Sequence, residues 1–213
     1  MAETQRKFWQ GLWKNRVAED FSTYLPGYVE KSDPVVELFR RWGIRTVCDA
    51  ACGYGAYSLL LLSNGFSVEG FDSAPQSVAI AKKLLASYGY DVSGYWTADV
   101  LHPGCSKEYD AVTARSVLDH LYVEETKRGL AELLRLTRRG GLLAVSFDGP
   151  EEVDGPHRVE ADGSILYTGG RREGMVIHIY TDEELKELLS PYKVVLAYTN
   201  EEGERFFVVE NEG

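Results

Sequence analysis

Apolar positions through the middle of the chain switch repeatedly between two periods. "IRTVCDA" (44–50) is an apolar, β-rich run, and "AYSLLLLSNG" (56–65) follows as a helix closed by Asn64-Gly65. "FSVEGFD" (66–72) alternates as a strand. "APQSVAIAKKLLASYG" (74–89) has Pro75 in its first turn, apolar residues at helical spacing and Gly89 at its end. "YWTADV" (95–100) and "YDAVTAR" (109–115) read as short strands, and "VEETKRGLAELLRLT" (123–137) as an amphipathic helix. "GGLLAVSFD" (140–148) reads as a strand buried on both faces. Strands and helices alternating at this spacing predict a doubly wound α/β sheet.

Three segments depart from that rhythm. Residues 149–180 are rich in glycine and turn formers but carry two β-like runs, "SILYT" and "MVIHIY", whose apolar side chains need burial. An inserted β flap is expected there. "TDEELKELLS" then reads as a helix with a capping box between Thr181 and Glu184. "YKVVLAYT" and "ERFFVVEN", joined by "NEEG", predict a closing antiparallel hairpin. The first 43 residues predict a helix, a turn at Pro26-Gly27, and a second helix opened by Ser32 or Asp33 with Pro34 at its start. The expected architecture is a mostly parallel seven-stranded sheet with helices on both faces and a closing hairpin. It is one domain: helical arm or lid (1–43), core (44–148), flap (149–180), closing helix and hairpin (181–213).

Composition narrows the classes of function. The 213 residues carry a formal net charge of 23 − 33 = −10, and basic residues form no run longer than an adjacent pair such as Arg40-Arg41. A nucleic-acid partner, which needs a basic stripe to replace counterions, is not expected. The longest apolar run, "LLLLS", is far too short to span a bilayer. Cys48, Cys52 and Cys105 are odd in number and have no His or Cys partner at zinc-site spacing. No metal is expected, and a cytoplasmic location is.

The stretch "VCDAACGYGAYS" (47–58) carries the first chemistry. A strand, a glycine-rich turn and a helix place backbone N–H groups at the carboxyl end of the first strand, where open α/β sheets bind ligands. Gly53 and Gly55 remove side chains where a ligand must touch the backbone. Asp72 ends the second strand 19 residues after Gly53, an offset suited to accepting both hydroxyls of a ribose. A dinucleotide loop reads G-x-G-x-x-G, but the frame from Gly53 puts Ser58 third, and Asp49 would repel a pyrophosphate. An acid there suits a cofactor with ammonium and sulfonium centres.

"VCDAACGYG" resembles the first motif of the class I S-adenosylmethionine-dependent methyltransferases. "VEGFDSAPQSVAIAKK", "YWTADV", "YDAVTARSVLDHL" and "RLTRRGGLLAVSF" are similar to the motifs that follow it, in order, over about residues 45–148. One departure is Ala51, where that pattern has its first glycine. The resemblance implies S-adenosylmethionine as cofactor and S-adenosylhomocysteine as product. It places Asp49 near the methionine ammonium, Ala51, Gly53 and Gly55 along the methionyl chain, and Asp72 with Ser73 at the ribose. Asp99 falls at the adenine amino group, Val100 on the ring, and Arg115 and Ser116 near the sulfonium.

Methyl transfer from a sulfonium is an in-line displacement that needs alignment and exclusion of water more than an elaborate acid–base set. Candidate groups for handling an acceptor proton are His120, His178 and Tyr180, with His157 further out in the flap. Tyr24 and Tyr28 on the arm, with Tyr122 and Arg172, are candidates for holding or covering the substrate. An acidic surface and an enclosing flap point to a small-molecule acceptor methylated on O, N or S. The alternatives are a non-catalytic cofactor-binding regulator or partner subunit, a protein methyltransferase and, third, a nicotinamide-dependent oxidoreductase.

Overall fold

The computed structural model describes residues 3–29, 32–150 and 152–213. Residues 1, 2, 30, 31 and 151, parts of the expected arm and flap, lie outside the described residues. The strands are β1 Thr46–Ala50, β2 Ser67–Asp72, β3 Tyr95–Thr97, β4 Tyr109–Ala114, β5 Thr137–Phe147, β6 His157–Val159, β7 Ile165–Tyr167, β8 Val176–Ile177, β9 Lys193–Thr199 and β10 Arg205–Glu210. The helices are α1 Glu3–Trp13, α2 Leu25–Val29, α3 Pro34–Trp42, α4 Ala56–Ser63, α5 Pro75–Ser87, α6 Val123–Arg135 and α7 Asp182–Leu189.

Seven strands form one sheet in the order β3-β2-β1-β4-β5-β10-β9. The first five are parallel, and β10 runs antiparallel to both neighbours. Side chains in a strand point alternately to opposite faces, so a sheet covered on both faces needs apolar residues at consecutive positions. That rule is visible pair by pair. Val47, Ala111, Leu142 and Val208 enter one core with α3 and α4, while their neighbours Cys48, Val112, Leu143 and Val209 enter the other with α6 and α7.

The order of strands positions the site. From β1 the chain builds outward to β2 and β3, then returns to lay β4 on the other side of β1. Such a reversal opens a crevice beyond the carboxyl ends of the strands at the switch point. β6, β7 and β8 form a separate antiparallel sheet between β5 and α7. Phe8 of α1 packs against its apolar residues.

Local chemistry explains the boundaries. Asp33 caps α3, accepting from the backbone N–H groups of Val35 at 2.8 Å and Val36 at 3.2 Å, so it, not Ser32, opens that helix. The Thr181–Glu184 capping box is formed at the start of α7. The arm departs from expectation at Pro26-Gly27, which lie inside α2. Proline fits a first helical turn, where its missing N–H costs no bond. The flap gains a strand, β6, that its polar sequence concealed, and β8 ends at Ile177 instead of running on to Tyr180.

Candidate functional site

A cavity of about 740 Å³ opens at the carboxyl edge of the switch point. Its size lies within the roughly 300–1,000 Å³ of sites that enclose small ligands. It brings together Asp49, Ala51, Gly53, Asp72, Ser73, Val100, Arg115, Ser116 and His120, with Tyr24 and Tyr28 from the arm. These residues come from the ends of β1 and β2, from the segments that follow β1, β2, β3 and β4, and from the arm.

Asp49 sits on β1 with 2% of its surface exposed. Ser58 Oγ donates to its Oδ2 at 2.6 Å and Thr113 Oγ1 to its Oδ1 at 2.9 Å. Burial pushes its pKa up to about 6, against the lowering effect of those hydroxyls and of the Arg115 charge. Asp72 ties two loops together. The Gly53 N–H donates to its Oδ2 at 3.0 Å and the Ala74 N–H to its Oδ1 at 2.9 Å. Burial raises its pKa too, opposed by those backbone donors.

Opposite these acids, Arg115 lies between the rings of Tyr57 and Phe206, 4.7 Å from each centroid, and donates to Glu204 at 2.9 Å. Glu204 also accepts from Ser146 Oγ at 2.6 Å, Asn200 Nδ2 at 3.1 Å and Ser116 Oγ at 3.2 Å. Sequence reading missed Glu204, whereas Trp9 and Trp13 of α1 belong to the aromatic arm expected as a lid; all three line the cavity. Glu204 follows a hairpin turn with no motif around it, so only the antiparallel pairing of β10 on β5 reveals its place.

Backbone strain collects at the same place. Among the described residues, the non-glycine positions with left-handed φ are Ala51 at 54° and Ser116 at 46°, and both line the cavity. A side chain in that region costs about 1–2 kcal/mol, and such positions gather at functional sites. Ala51→Gly is therefore expected to stabilise the protein by up to about 1 kcal/mol, after the added chain entropy of glycine is set against the relief. A higher urea midpoint with unchanged slope would register it.

Other expected site residues lie elsewhere. Gly55, at φ 86°, is not in the lining; a Cβ there would meet Ala81 Cβ at 3.2 Å and Leu85 Cδ1 at 3.3 Å, so its lack of a side chain serves the packing of α4 on α5. Asp99 directs Oδ1 to the Leu101 N–H at 3.0 Å and is outside the lining. His178 is 5% exposed, and its backbone N–H donates to the Asp119 carbonyl, with Ser164 Oγ 3.2 Å from Nδ1. Tyr180 is buried beside it against Phe147. Tyr122 precedes α6 at its N-cap position without a side-chain capping bond, and Arg172 donates to Tyr167 Oη at 2.7 Å. His157 is exposed in the flap, its Nδ1 2.8 Å from the Gly155 carbonyl. None of these reaches the cavity lining.

Residues 47–141 match a family described as a methyltransferase domain. The glycine/sarcosine/dimethylglycine N-methyltransferase of Actinopolyspora halophila is 29% identical over 140 residues, covering 57% of this chain. The chain spans only 25% of that relative's length. The DhpI complex with S-adenosylhomocysteine has the same fold, with a TM-score of 0.66 at 16% identity over 99% of this chain and 98% of that one. So does magnesium protoporphyrin IX methyltransferase of Synechocystis with bound S-adenosylmethionine, with a TM-score of 0.60 at 20% identity over 83% and 76%.

Proposed function

We propose that the chain, whose residues 47–141 match a methyltransferase domain, is a class I S-adenosylmethionine-dependent methyltransferase that transfers a methyl group from S-adenosylmethionine to an O, N or S atom of a small molecule, releasing S-adenosylhomocysteine. The observation that carries this reading is a cavity lined both by two buried acids, Asp49 and Asp72, and by Arg115, Ser116 and His120. In this reading Asp49 meets the methionine ammonium, Asp72 takes the ribose hydroxyls with its remaining lone pairs, and Val100 packs on the adenine. Ala51, Gly53 and Ser73 follow the cofactor's length.

The displacement needs acceptor, methyl and sulfur in line with water kept out. Trp9, Trp13, Tyr24 and Tyr28 supply an aromatic wall from the arm, which serves as the lid over the acceptor. His120 lines the same cavity from the turn that follows β4. His178 and Tyr180 support the flap from within. The relative from A. halophila is named for methylating amines, which makes amines the first acceptors to try. Among the described residues no helix is long and apolar enough to cross a membrane. Three free thiols and the acidic surface support a cytoplasmic protein without a nucleic-acid partner.

Calorimetric titration with S-adenosylmethionine, S-adenosylhomocysteine and NADH, followed by mass-spectrometric detection of S-adenosylhomocysteine over amines, phenols and thiols, tests the reading. Micromolar binding of both adenosyl ligands, none of NADH, and turnover on one acceptor class are expected. Failure to bind either adenosyl ligand would overturn the reading. Binding without turnover on any acceptor would favour a cofactor-sensing partner subunit instead.

A further inference from the structure

A second constellation stands at the same edge of the sheet. Asp119 and His120 lie in the 3-10 turn Leu118–His120 that follows β4, and Asp148 directly follows β5. Parallel pairing of β4 with β5 delivers all three to one place, where one potential ligand atom from each lies within 4.8 Å of the others. Two carboxylates this close repel each other, and the repulsion grows as water is excluded.

Their hydrogen bonds leave a vacancy of a specific kind. Asp119 is 2% exposed, and its Oδ2 accepts the Asp148 N–H at 2.9 Å. Its Oδ1 is buried and accepts no hydrogen bond from another described residue. A buried acceptor left open costs about 1–3 kcal/mol, more when it carries charge. His120 Nδ1 lies 3.3 Å from the Val176 carbonyl oxygen. A carbonyl only accepts, so Nδ1 is the donor in this contact, and a cation would take the lone pair that Nε2 has in the corresponding neutral tautomer. An imidazole whose one nitrogen donates to a backbone carbonyl is oriented as metal-binding histidines are. Trp9 holds the ring edge-on at 5.0 Å, and Gln5 Nε2 donates to the His120 carbonyl at 2.9 Å, so the arm fixes this turn.

From this geometry we infer that Asp119, His120 and Asp148 form a binding site for a divalent cation. Two carboxylates and a neutral imidazole match the charge of such an ion. Their mixed oxygen and nitrogen donors suit Mn²⁺, Fe²⁺ or Zn²⁺ better than Ca²⁺, which takes oxygen, or Cu⁺, which takes sulfur. Three protein ligands leave coordination positions open. Because His120 also lines the cavity, an open position is within reach of an acceptor's oxygen or nitrogen atom. That last step rests on the reading of the cavity as a methyl-transfer site, whereas the cation site does not.

The test uses the full chain stripped of metal by chelation. Mn²⁺ is titrated while the signal of free Mn²⁺ is followed by electron paramagnetic resonance, and Zn²⁺ is titrated by calorimetry. One equivalent bound at micromolar concentration is expected, weakened at least tenfold in Asp119→Asn and in Asp148→Asn. Both variants are expected to bind S-adenosylhomocysteine as the parent does, which shows that they fold. Absence of binding below millimolar Mn²⁺ and Zn²⁺ overturns the proposal in favour of two acids sharing a proton. Equal binding by parent and variants also overturns it, by placing the ion elsewhere. Loss of S-adenosylhomocysteine binding in the parent would remove the cofactor reading and leave the cation result standing.

Discussion

Asp49→Asn is expected to raise the melting temperature of the ligand-free protein at pH 8 and, in the same step, to erase the pH dependence of S-adenosylmethionine binding. Burial, the dominant cause, lifts the pKa of Asp49 in the folded chain to about 6 from an ordinary value of 3.8. A carboxyl whose folded pKa is raised contributes stability that is fully present below about pH 4 and is lost as pH rises through about 6. Above pH 7 the ionised group therefore costs the free protein about 3 kcal/mol. Asparagine keeps the shape without the charge, and the Ser58 and Thr113 hydroxyls can each turn to donate or accept. At roughly 2–4 °C per kcal/mol for a chain of this size, the gain is several degrees at pH 8 and fades toward pH 4.

Binding runs the other way. An ammonium needs the carboxylate, whose population rises from about one tenth at pH 5 to nine tenths at pH 7, so affinity should climb about tenfold over that range with release of a proton. Titrations at pH 5, 6 and 7 in buffers of different ionisation enthalpy read both the slope and the proton. A flat profile in the parent, or a lower melting temperature for Asp49→Asn at pH 8, would show an acid already ionised and held for structure alone. The cost to the free fold is what a cationic ligand removes, and it explains why a buried acid stands on a central strand.

The legible and illegible parts of the molecule divide along sequence distance. Val47 and Cys48 are both apolar because each faces a different helical layer, and that pattern is readable wherever a strand is covered twice. Asp49 and Asp72, which both line the cavity, stand out in the sequence because each ends or nearly ends a strand beside a glycine turn, so a few residues define their position. His178 was misread for a physical reason. Alternation counted through "VIHIY" assumes a strand, but β8 stops at Ile177, and the His178 amide bonds the Asp119 carbonyl instead of a strand partner. Glu204 and the pair Trp9 and Trp13 come to the cavity from opposite ends of the chain. Asp148 meets Asp119 across 29 residues through strand pairing alone. No local spacing encodes such meetings, which is why the sequence carried no sign that Asp119, His120 and Asp148 come together.

Asp72→Ala is expected to weaken S-adenosylmethionine and S-adenosylhomocysteine by one to two decades. The Gly53 and Ala74 amides donate to the Asp72 carboxylate, and the Ser77 hydroxyl and Ser73 amide also favour its charge. In the proposed complex the ribose hydroxyls join or displace the weaker of these donors, each bond to the charged group being worth about 1.5–3 kcal/mol. Truncation also strands both amides at a cost of about 1–3 kcal/mol each, so the variant should melt earlier and loosen the Gly53 turn. Stability and recognition can be separated by changing the ligand along with the protein. Removing the 2′-hydroxyl from the nucleoside should cost the parent about tenfold in affinity and cost Asp72→Ala little, because the partner is already gone. Equal losses in both proteins would mean that Asp72 only braces the loop and that the ribose is held by other groups. The coupling between one hydroxyl and one carboxylate, unlike the loss of affinity, cannot come from a loosened turn.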